Sequence, residues 1–136
     1  MFLNITSKTR PLYNGNCTKV NLITQSGEIT VLDGHENLIS ALATGAIKFT
    51  TDGKEQTVFS DEGFLEVATN NGQTKVSVLA NQARLKDEVI KEEIEKAITA
   101  GQQEMQAKKG TVSESVLIQL EKQIRFEKFL KDQTDL

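Results

Sequence analysis

The 136-residue sequence contains a single cysteine, a single histidine, a single proline and no tryptophan. With one thiol, Cys17, the chain cannot close an internal disulfide, and one Cys with one His cannot build a Cys/His metal cluster. We therefore predict that Cys17 is a small buried side chain. No run approaches the roughly 18 apolar residues that a membrane-spanning helix needs. The first residues also lack the charged and apolar regions of a signal peptide.

Basic excess and phosphate-binding motifs are absent as well. The net charge of -3 and the pI near 5.2 argue against a nucleic-acid partner, because such proteins usually carry a basic excess. Neither G-x-x-x-x-G-K-[ST] nor G-x-G-x-x-G occurs in the chain. The length suits one compact domain, or a small domain with an appendage. These features favour a cytosolic protein or a peripheral part of a larger assembly.

Residues 1–83 predict an antiparallel β-sandwich or barrel. Short alternating runs of apolar and polar residues follow one another, separated by turn residues and without helical segments between them. The Asp-Gly pair at 52–53 and the Asn-Gly pair at 71–72 suit the positive φ angles of two-residue hairpin turns. The Gly-Asn pair at 15–16 predicts a further turn, placed before a strand.

Residues 84–136 predict two helices, and charged side chains are denser here than in the first part. Apolar residues recur at helical spacing over 87–105, and again from Val116 to near Asp132. A Lys-Lys-Gly sequence separates the two patterns, and Thr111 with Glu114 predicts a capping box at the start of the second helix. Two helices joined by a short loop should form an antiparallel hairpin.

The only histidine lies in the segment GEITVLDGHENLISAL, residues 27–42, between Asp33 and Glu36. A histidine beside a carboxylate can act as a general base. However, no strained G-x-S-x-G turn supplies a nucleophile, and a glycine before a histidine in a loop is more often turn chemistry. We therefore predict a non-enzymatic protein without catalytic or metal-binding residues. A small hydrolase that uses His35 is the minor alternative.

Three blocks of the sequence, in order, carry a family resemblance. The segment at 27–42 resembles the part of F-type ATP synthase epsilon subunits that usually reads GEFGVLPGHAPLLTALKPG. SDEGFLEV at 60–67 looks like the family's SGGFLEV strand entry, and VSVLANQA at 76–83 looks like its VTVLADTA. The resemblance covers nearly the whole chain. It implies a ten-stranded β-sandwich followed by two helices, which agrees with the architecture predicted from periodicity.

The resemblance also implies a function, that of a non-catalytic rotor component. In the family, the sheet domain, here 1–83, binds the gamma subunit and the c-ring and helps couple proton-driven rotation to ATP synthesis. The helical arm, here 84–136, switches conformation and blocks ATP hydrolysis by the alpha and beta catalytic subunits. The implied location is peripheral, on the cytoplasmic face of a bacterial plasma membrane or on a plastid thylakoid.

The resemblance places three residues of this chain on the rotor-contact surface for gamma and the c-ring, namely Glu28, Gly34 and His35. Glu28 would contact polar loops of the c-ring, and His35 would form a hydrogen bond at the gamma or c-ring boundary. The alternative is that His35 stabilises its own loop. Asp33 stands where the family usually has proline, so the loop lacks a fixed φ and gains a negative charge.

Three cations of the second predicted helix are candidates for the inhibitory contact, namely Lys122, Arg125 and Lys128. Their i, i+3 spacing places them along one side of the helix. Arg125 matches a position where the family often has an arginine that meets acidic residues of the beta subunits. The alternative is a solvated basic stripe balanced by neighbouring glutamates.

No cofactor is expected, and the sequence argues against tight ATP binding. Epsilon subunits that bind ATP carry an I/L-D-x-x-R-A motif at the start of the first helix. The matching run at 89–94 reads VIKEEI and lacks both the Asp and the Arg. Anionic phosphates would instead meet Glu92 and Glu93, which repel them. If the chain does not belong to a rotary complex, the alternative function is a free β-sandwich adaptor whose helical hairpin docks a coiled-coil partner.

Overall fold

A computed structural model describes residues 1–135 and divides the chain into two compact units, 1–86 and 87–136. The first unit contains ten strands and the second contains two α-helices. The last strand runs over Ala83–Leu85 and pairs with an earlier strand, so the first residues assigned from sequence to the arm belong to the sheet. Within residues 1–135, neither helix combines the length and the apolar character that a bilayer crossing requires.

The strands form one ten-stranded sheet folded into a sandwich, as predicted. One half has the order β4-β3-β6-β7-β10 and the other the order β5-β8-β9-β1-β2, and the two halves join through the pair Thr24–Leu42. All pairs are antiparallel except β1 with β9. The strands are β1 (Phe2–Ser7), β2 (Pro11–Asn16), β3 (Lys19–Thr24), β4 (Gly27–Leu32), β5 (Leu38–Leu42), β6 (Gly45–Thr51), β7 (Lys54–Ser60), β8 (Gly63–Asn70), β9 (Gln73–Ala80) and β10 (Ala83–Leu85).

The core lies between the two halves of the sheet and is built from alternate positions of the strands. On β9, for example, Val76 and Val78 are buried while Lys75 and Leu79 are exposed, because successive side chains of a strand point to opposite faces. Cys17 is buried in the same cluster, as predicted. The largest fully buried side chains of this unit include Leu3, Ile5, Leu22, Leu42, Ile47, Phe49 and Leu65.

Two hairpin turns occur where the sequence predicted them. The φ angles are 52° and 75° at Asp52 and Gly53, and 52° and 77° at Asn71 and Gly72. Positive φ at both central residues is the property of the two-residue turns that match strand twist. These turns connect β6 to β7 and β8 to β9, and they set the pairing register of both hairpins.

The turn predicted at 15–16 is wrong, because these residues lie inside β2, where Gly15 pairs with Leu3 of β1. The chain passes from β2 to β3 at Cys17 and Thr18 instead, and it also turns just after β1. There the Ser7 hydroxyl accepts hydrogen bonds from the backbone N–H groups of Thr9 and Arg10 at 3.3 and 3.2 Å. A serine side chain can organise a turn in this way without any glycine.

The second unit is an antiparallel helical hairpin, as predicted, formed by α1 (Lys91–Lys108) and α2 (Glu114–Thr134). At its open end the Lys91 ammonium lies 2.7 Å from an Asp135 carboxylate oxygen, which joins the start of α1 to the end of α2. This contact raises the pKa of Lys91 and lowers that of Asp135, through the hydrogen bond between the two side chains.

The capping box predicted from Thr111 and Glu114 is wrong. The Thr111 hydroxyl donates to the Lys108 carbonyl at 2.9 Å, so it closes the end of α1. Ser113 is the N-cap residue of α2 and makes no side-chain cap hydrogen bond, and Glu114 is already the first helical residue. The prediction failed because two helix ends share this short loop, and Thr111 serves the earlier end.

Candidate functional site

The loop that holds the histidine connects β4 to β5 and is fixed to the β8–β9 hairpin by two threonine hydroxyls. The backbone N–H of Gly34 donates to Thr74 Oγ1 at 2.7 Å. The Thr69 hydroxyl donates to the His35 carbonyl at 2.6 Å, and the two hydroxyl oxygens lie 2.8 Å apart. The Thr69 N–H also donates to Asn37 Oδ1 at 2.8 Å. The loop is thus held along most of its length.

The direction of the hydrogen bonds in this network follows from its end points. Because the Thr69 proton points to the His35 carbonyl, Thr69 Oγ1 must accept the proton of Thr74. Thr74 in turn accepts the N–H of Gly34. Each hydroxyl therefore donates once and accepts once. Thr74 is buried, so water does not readily replace these bonds.

The half-buried side chain of His35 bonds within its own loop. Nδ1 lies 2.6 Å from the Glu36 carbonyl, and the backbone N–H donates to the Leu32 carbonyl at 3.1 Å. Gly34 has a φ of 88°, which turns the chain sharply before the histidine. The ring's other nitrogen, Nε2, has no hydrogen-bond partner within residues 1–135. The ring thus makes a structural bond within its own loop through Nδ1, while Nε2 is left without one in the described part of the chain.

Glu28, the third residue assigned to the rotor contact, lies away from this loop. It is exposed near the start of β4, and β4 is an edge strand that pairs with β3 alone. The histidine loop follows the other end of β4. At a rise of about 3.3 Å per residue, the strand separates Glu28 from Leu32 by roughly 13 Å. The structure brings Gly34 and His35 together and leaves Glu28 at the opposite end of the strand.

The sheet domain also carries an exposed apolar face that sequence reasoning missed. Ile39 of β5, Phe64 of β8 and Leu79 of β9 are 77%, 66% and 52% exposed. Phe64 pairs with Leu79 on one side and with Ala41 on the other, so these side chains lie on neighbouring strands of one sheet surface. We call Ile39, Ala41, Phe64 and Leu79 the apolar face. Contiguous exposed apolar residues of this kind mark interaction sites.

A sequence signal for this face was present. Phe64-Leu65 and Val78-Leu79 each place two large apolar residues in succession on a strand. Since neighbouring side chains of a strand point to opposite faces, only one member of each pair can enter the core. Leu65 and Val78 are buried, and the other member of each pair faces outward.

The three candidate cations of the arm, Lys122, Arg125 and Lys128, are all exposed on α2. Within residues 1–135 none of them forms an ion pair. Lys131, by contrast, lies 3.8 Å from a Glu95 oxygen across the hairpin. The three-residue spacing thus gives a row of exposed positive charge, available to an acidic partner.

The residues weighed for cofactor or metal chemistry are dispersed. In the described part of the chain, no three Cys, His, Asp or Glu side chains gather where they could hold a metal ion. Cys17 is buried, and burial raises the pKa of its thiol, so the reactive thiolate is disfavoured. Glu92 and Glu93 are exposed in the first turn of α1, where the sequence predicted an electrostatically poor site for phosphates.

These features define a class: a β-sandwich domain with an exposed apolar face, followed by a two-helix arm. A sequence profile described as ATP synthase, Delta/Epsilon chain, beta-sandwich domain matches residues 1–86. The chain belongs to this family, which confirms the resemblance to epsilon subunits of F-type ATP synthases.

Two curated relatives are named ATP synthase epsilon chain. The chain is 39% identical to that of Endomicrobium trichonymphae over 88 residues, which cover 64% of this chain and 60% of the relative. It is 28% identical to that of Bacillus subtilis (strain 168) over 103 residues, covering 76% and 75%. The first match thus spans less than two thirds of the relative's length.

Solved structures show the same architecture. A chain of the Euglena gracilis mitochondrial ATP synthase, in a structure of OSCP, F1 and the c-ring, aligns with a TM-score of 0.63 and 26% identity. That alignment covers 98% of this chain and 79% of the other. A chain of the Tetrahymena thermophila central stalk and c-ring aligns at 0.51 with 12% identity, covering 65% and 69%, and shows the fold alone.

Proposed function

We propose that this chain is the epsilon subunit of the central stalk of an F-type ATP synthase. Its sheet domain binds the gamma subunit and the c-ring and helps couple proton-driven rotation to ATP synthesis. The chain itself is non-catalytic. Family membership, together with the Euglena structure that contains F1 and the c-ring, supports this assembly. The implied position is peripheral, at the cytoplasmic face of a bacterial membrane.

The observation that carries the proposal is the apolar face. Phe64, Leu79 and Ile39 expose more than half of their surface on adjacent strands, although the same unit has a well-filled core. Burying such side chains against a partner is favourable by about 25 cal/mol per Å² of apolar surface removed from water. We assign this face to the gamma subunit, because gamma is the rotor component that the sheet domain of a central-stalk subunit must bind.

The histidine loop and Glu28 are assigned to the remaining rotor contact. The threonine network fixes the backbone of Gly34 and His35, which preorganises the loop and lowers the entropy lost on docking. Glu28 is exposed at the other end of β4, so it would meet a separate part of the rotor. The arm would regulate ATP hydrolysis through Lys122, Arg125 and Lys128.

The proposal is tested by titrating the full-length chain into F1 purified from the source cells and depleted of this subunit. Leu79→Ala and Ile90→Ala form a matched pair, since the two aliphatic side chains are 52% and 49% exposed and only the first lies on the apolar face. We expect Leu79→Ala and Phe64→Ala to weaken binding at least about tenfold, as central apolar contacts do. Ile90→Ala should bind like the wild type.

Absence of wild-type binding to depleted F1 would contradict the proposal. In that case, affinity purification of the tagged chain from native membranes identifies its partner. Recovery with an unrelated coiled-coil protein, and without gamma, alpha, beta or c subunits, would support the adaptor function instead.

A further inference from the structure

The apolar face carries one carboxylate among its large side chains. Glu66 lies two positions after Phe64 on β8 and therefore on the same surface of the sheet. Its partner in register on β5 is Ile39, the most exposed large apolar residue of the described chain. Its partner on β9 is Ser77, which is flanked on that surface by Leu79.

No cation neutralises this carboxylate within residues 1–135. Glu66 forms no ion pair and no side-chain hydrogen bond there. The cation nearest in register on this surface is Lys75, which pairs with Ala68 rather than with Glu66. In the free chain this surface is exposed, and water therefore solvates the Glu66 carboxylate.

A partner that docks on the apolar face would remove the water around Glu66. A partner that covers Ile39, Phe64 and Leu79 also covers this carboxylate, which lies directly beside Ile39 and two positions from Phe64 on the same surface. An ionised carboxylate taken from water without a partner is strongly disfavoured, whereas one paired with a guanidinium or an ammonium is not. An uninterrupted apolar partner surface would thus be rejected at this position.

We infer that the subunit covering the apolar face presents an arginine or lysine side chain to Glu66. The ion pair gives the interface register and selectivity, while the apolar side chains supply most of the buried area. This inference rests on the proposed function, because it concerns the same partner, the gamma subunit. It adds the chemistry that the partner must carry at one defined point.

The surroundings of Glu66 fit a cationic occupant. The carboxylate borders two shallow grooves on this side of the sheet. The floor of the first includes the small polar residues Asn4, Thr6 and Ser77, which leave room for a long side chain. The second groove also contains Asp33, the charge that replaces the family's usual proline. The second groove holds Lys75 as well as these two acids, whereas the first groove has no basic side chain, so a positive side chain is favoured beside Glu66 in the first groove.

The test compares Glu66→Gln with Glu55→Gln in the full-length chain, titrated into epsilon-depleted F1. Both substitutions remove one negative charge with almost no change of shape, and both residues are exposed on strands. Glu55 lies on β7, in the other half of the sheet. We expect Glu66→Gln to raise the Kd at least about tenfold, because it leaves the partner's cation buried without its counter-charge. Glu55→Gln should match the wild type.

The binding results separate failure of the ion pair from failure of the proposed function. Equal or tighter binding by Glu66→Gln, with wild-type binding intact, would overturn the ion pair and leave the proposed function standing. Failure of the wild type and of both variants to bind would overturn the proposed function and the inference together. Both would also be overturned if the wild-type chain does not bind F1 and instead forms dimers through the apolar face. Such dimers would be detected by sedimentation and abolished by Phe64→Ala.

Discussion

The backbone N–H of Gly34 donates a 2.7 Å hydrogen bond to the hydroxyl of Thr74, forty positions later in the chain. This bond joins the loop of the only histidine to a hairpin that sequence alone does not connect with it. Through Thr69 the same network returns to the His35 carbonyl. The conformation of the proposed rotor-contact loop therefore depends on two residues outside it.

Replacing Thr74 with valine should destabilise the sheet domain. Valine keeps the shape of threonine but lacks its hydroxyl. The Gly34 N–H therefore loses its acceptor and the Thr69 hydroxyl loses its donor, both beside a buried side chain. We expect a loss of about 1–3 kcal/mol in the free energy of unfolding, measured with urea. Thr74→Ser retains the hydroxyl and should lose clearly less. Equal losses for the two variants would show that packing, not the hydrogen bonds, matters here.

Replacing Gly63 with alanine should be more damaging than its position at the start of β8 suggests. A Cβ atom at this position would overlap the carbonyl oxygen of Leu79 and lie 2.8 Å from the Ala80 Cα. Because backbone atoms cannot rotate away, β8 and β9 must separate locally, with a cost above about 2 kcal/mol. The control is Gly15→Ala, whose Cβ would approach only the end of the Tyr13 side chain at 3.0 Å. A Gly63→Ala variant as stable as wild type would contradict this account.

Cys17 should resist alkylation in the folded protein. The thiol is buried, and burial raises its pKa above the usual 9.0, so both access and thiolate are reduced. The thiol ionises more easily in the unfolded chain, and its contribution to stability is therefore present below pH 9.0 and lost as pH rises through the folded-state pKa. Labelling by iodoacetamide should follow the unfolded fraction in a urea series. Fast labelling without denaturant would refute the prediction.

The fold was largely predictable because strand alternation and helical spacing are local properties of the sequence. The turns at Asp52-Gly53 and Asn71-Gly72 were found for the same reason, since these residue pairs tolerate positive φ. β2 was missed because Gly15 and Asn16 are typical turn residues, and their pairing with β1 depends on distant strand contacts. Tertiary context overrode local preference at that point.

The candidate site was predictable only in part. The histidine loop was identified from the sequence, but its anchor, Thr74, was not, because nothing local relates positions forty residues apart. The apolar face has a local signal in the successive apolar residues Phe64 and Leu65, of which only one can enter the core. The proposed role of Glu66 depends on its position beside Ile39, which follows from the sheet order and not from the local sequence.

The arm should bind ATP weakly or not at all. The run at 89–94 lacks both the Asp and the Arg of the family's nucleotide-binding motif, and the first turn of α1 carries Glu92 and Glu93 instead. Negative phosphates are repelled there. Calorimetric titration of the full chain with Mg-ATP up to millimolar concentration should give no saturable heat. Clear saturation would overturn the prediction and show that residues outside the motif bind the nucleotide.

The exposed cations of α2 should matter for inhibition of ATP hydrolysis. Lys122, Arg125 and Lys128 form no ion pair in the described structure, so they are free to meet acidic side chains of the catalytic subunits. Replacing all three with alanine should raise the ATPase rate of reconstituted F1 several-fold, toward that of enzyme whose chain lacks residues 87–136. Alanine is a good helix former, so α2 itself should persist, as circular dichroism can verify.

The matched control replaces Lys96 and Lys109 of the same arm, two exposed cations outside the α2 row, with alanine. If inhibition depends only on the overall charge of the arm, this variant should raise the rate as well. If it depends on the row along α2, the control should behave like the wild type while the triple variant is released. An unchanged rate in both the triple variant and the truncated chain would show that the arm does not inhibit hydrolysis in this enzyme. In that case the three cations would be a solvated stripe, and the role of the chain would reside in its sheet domain.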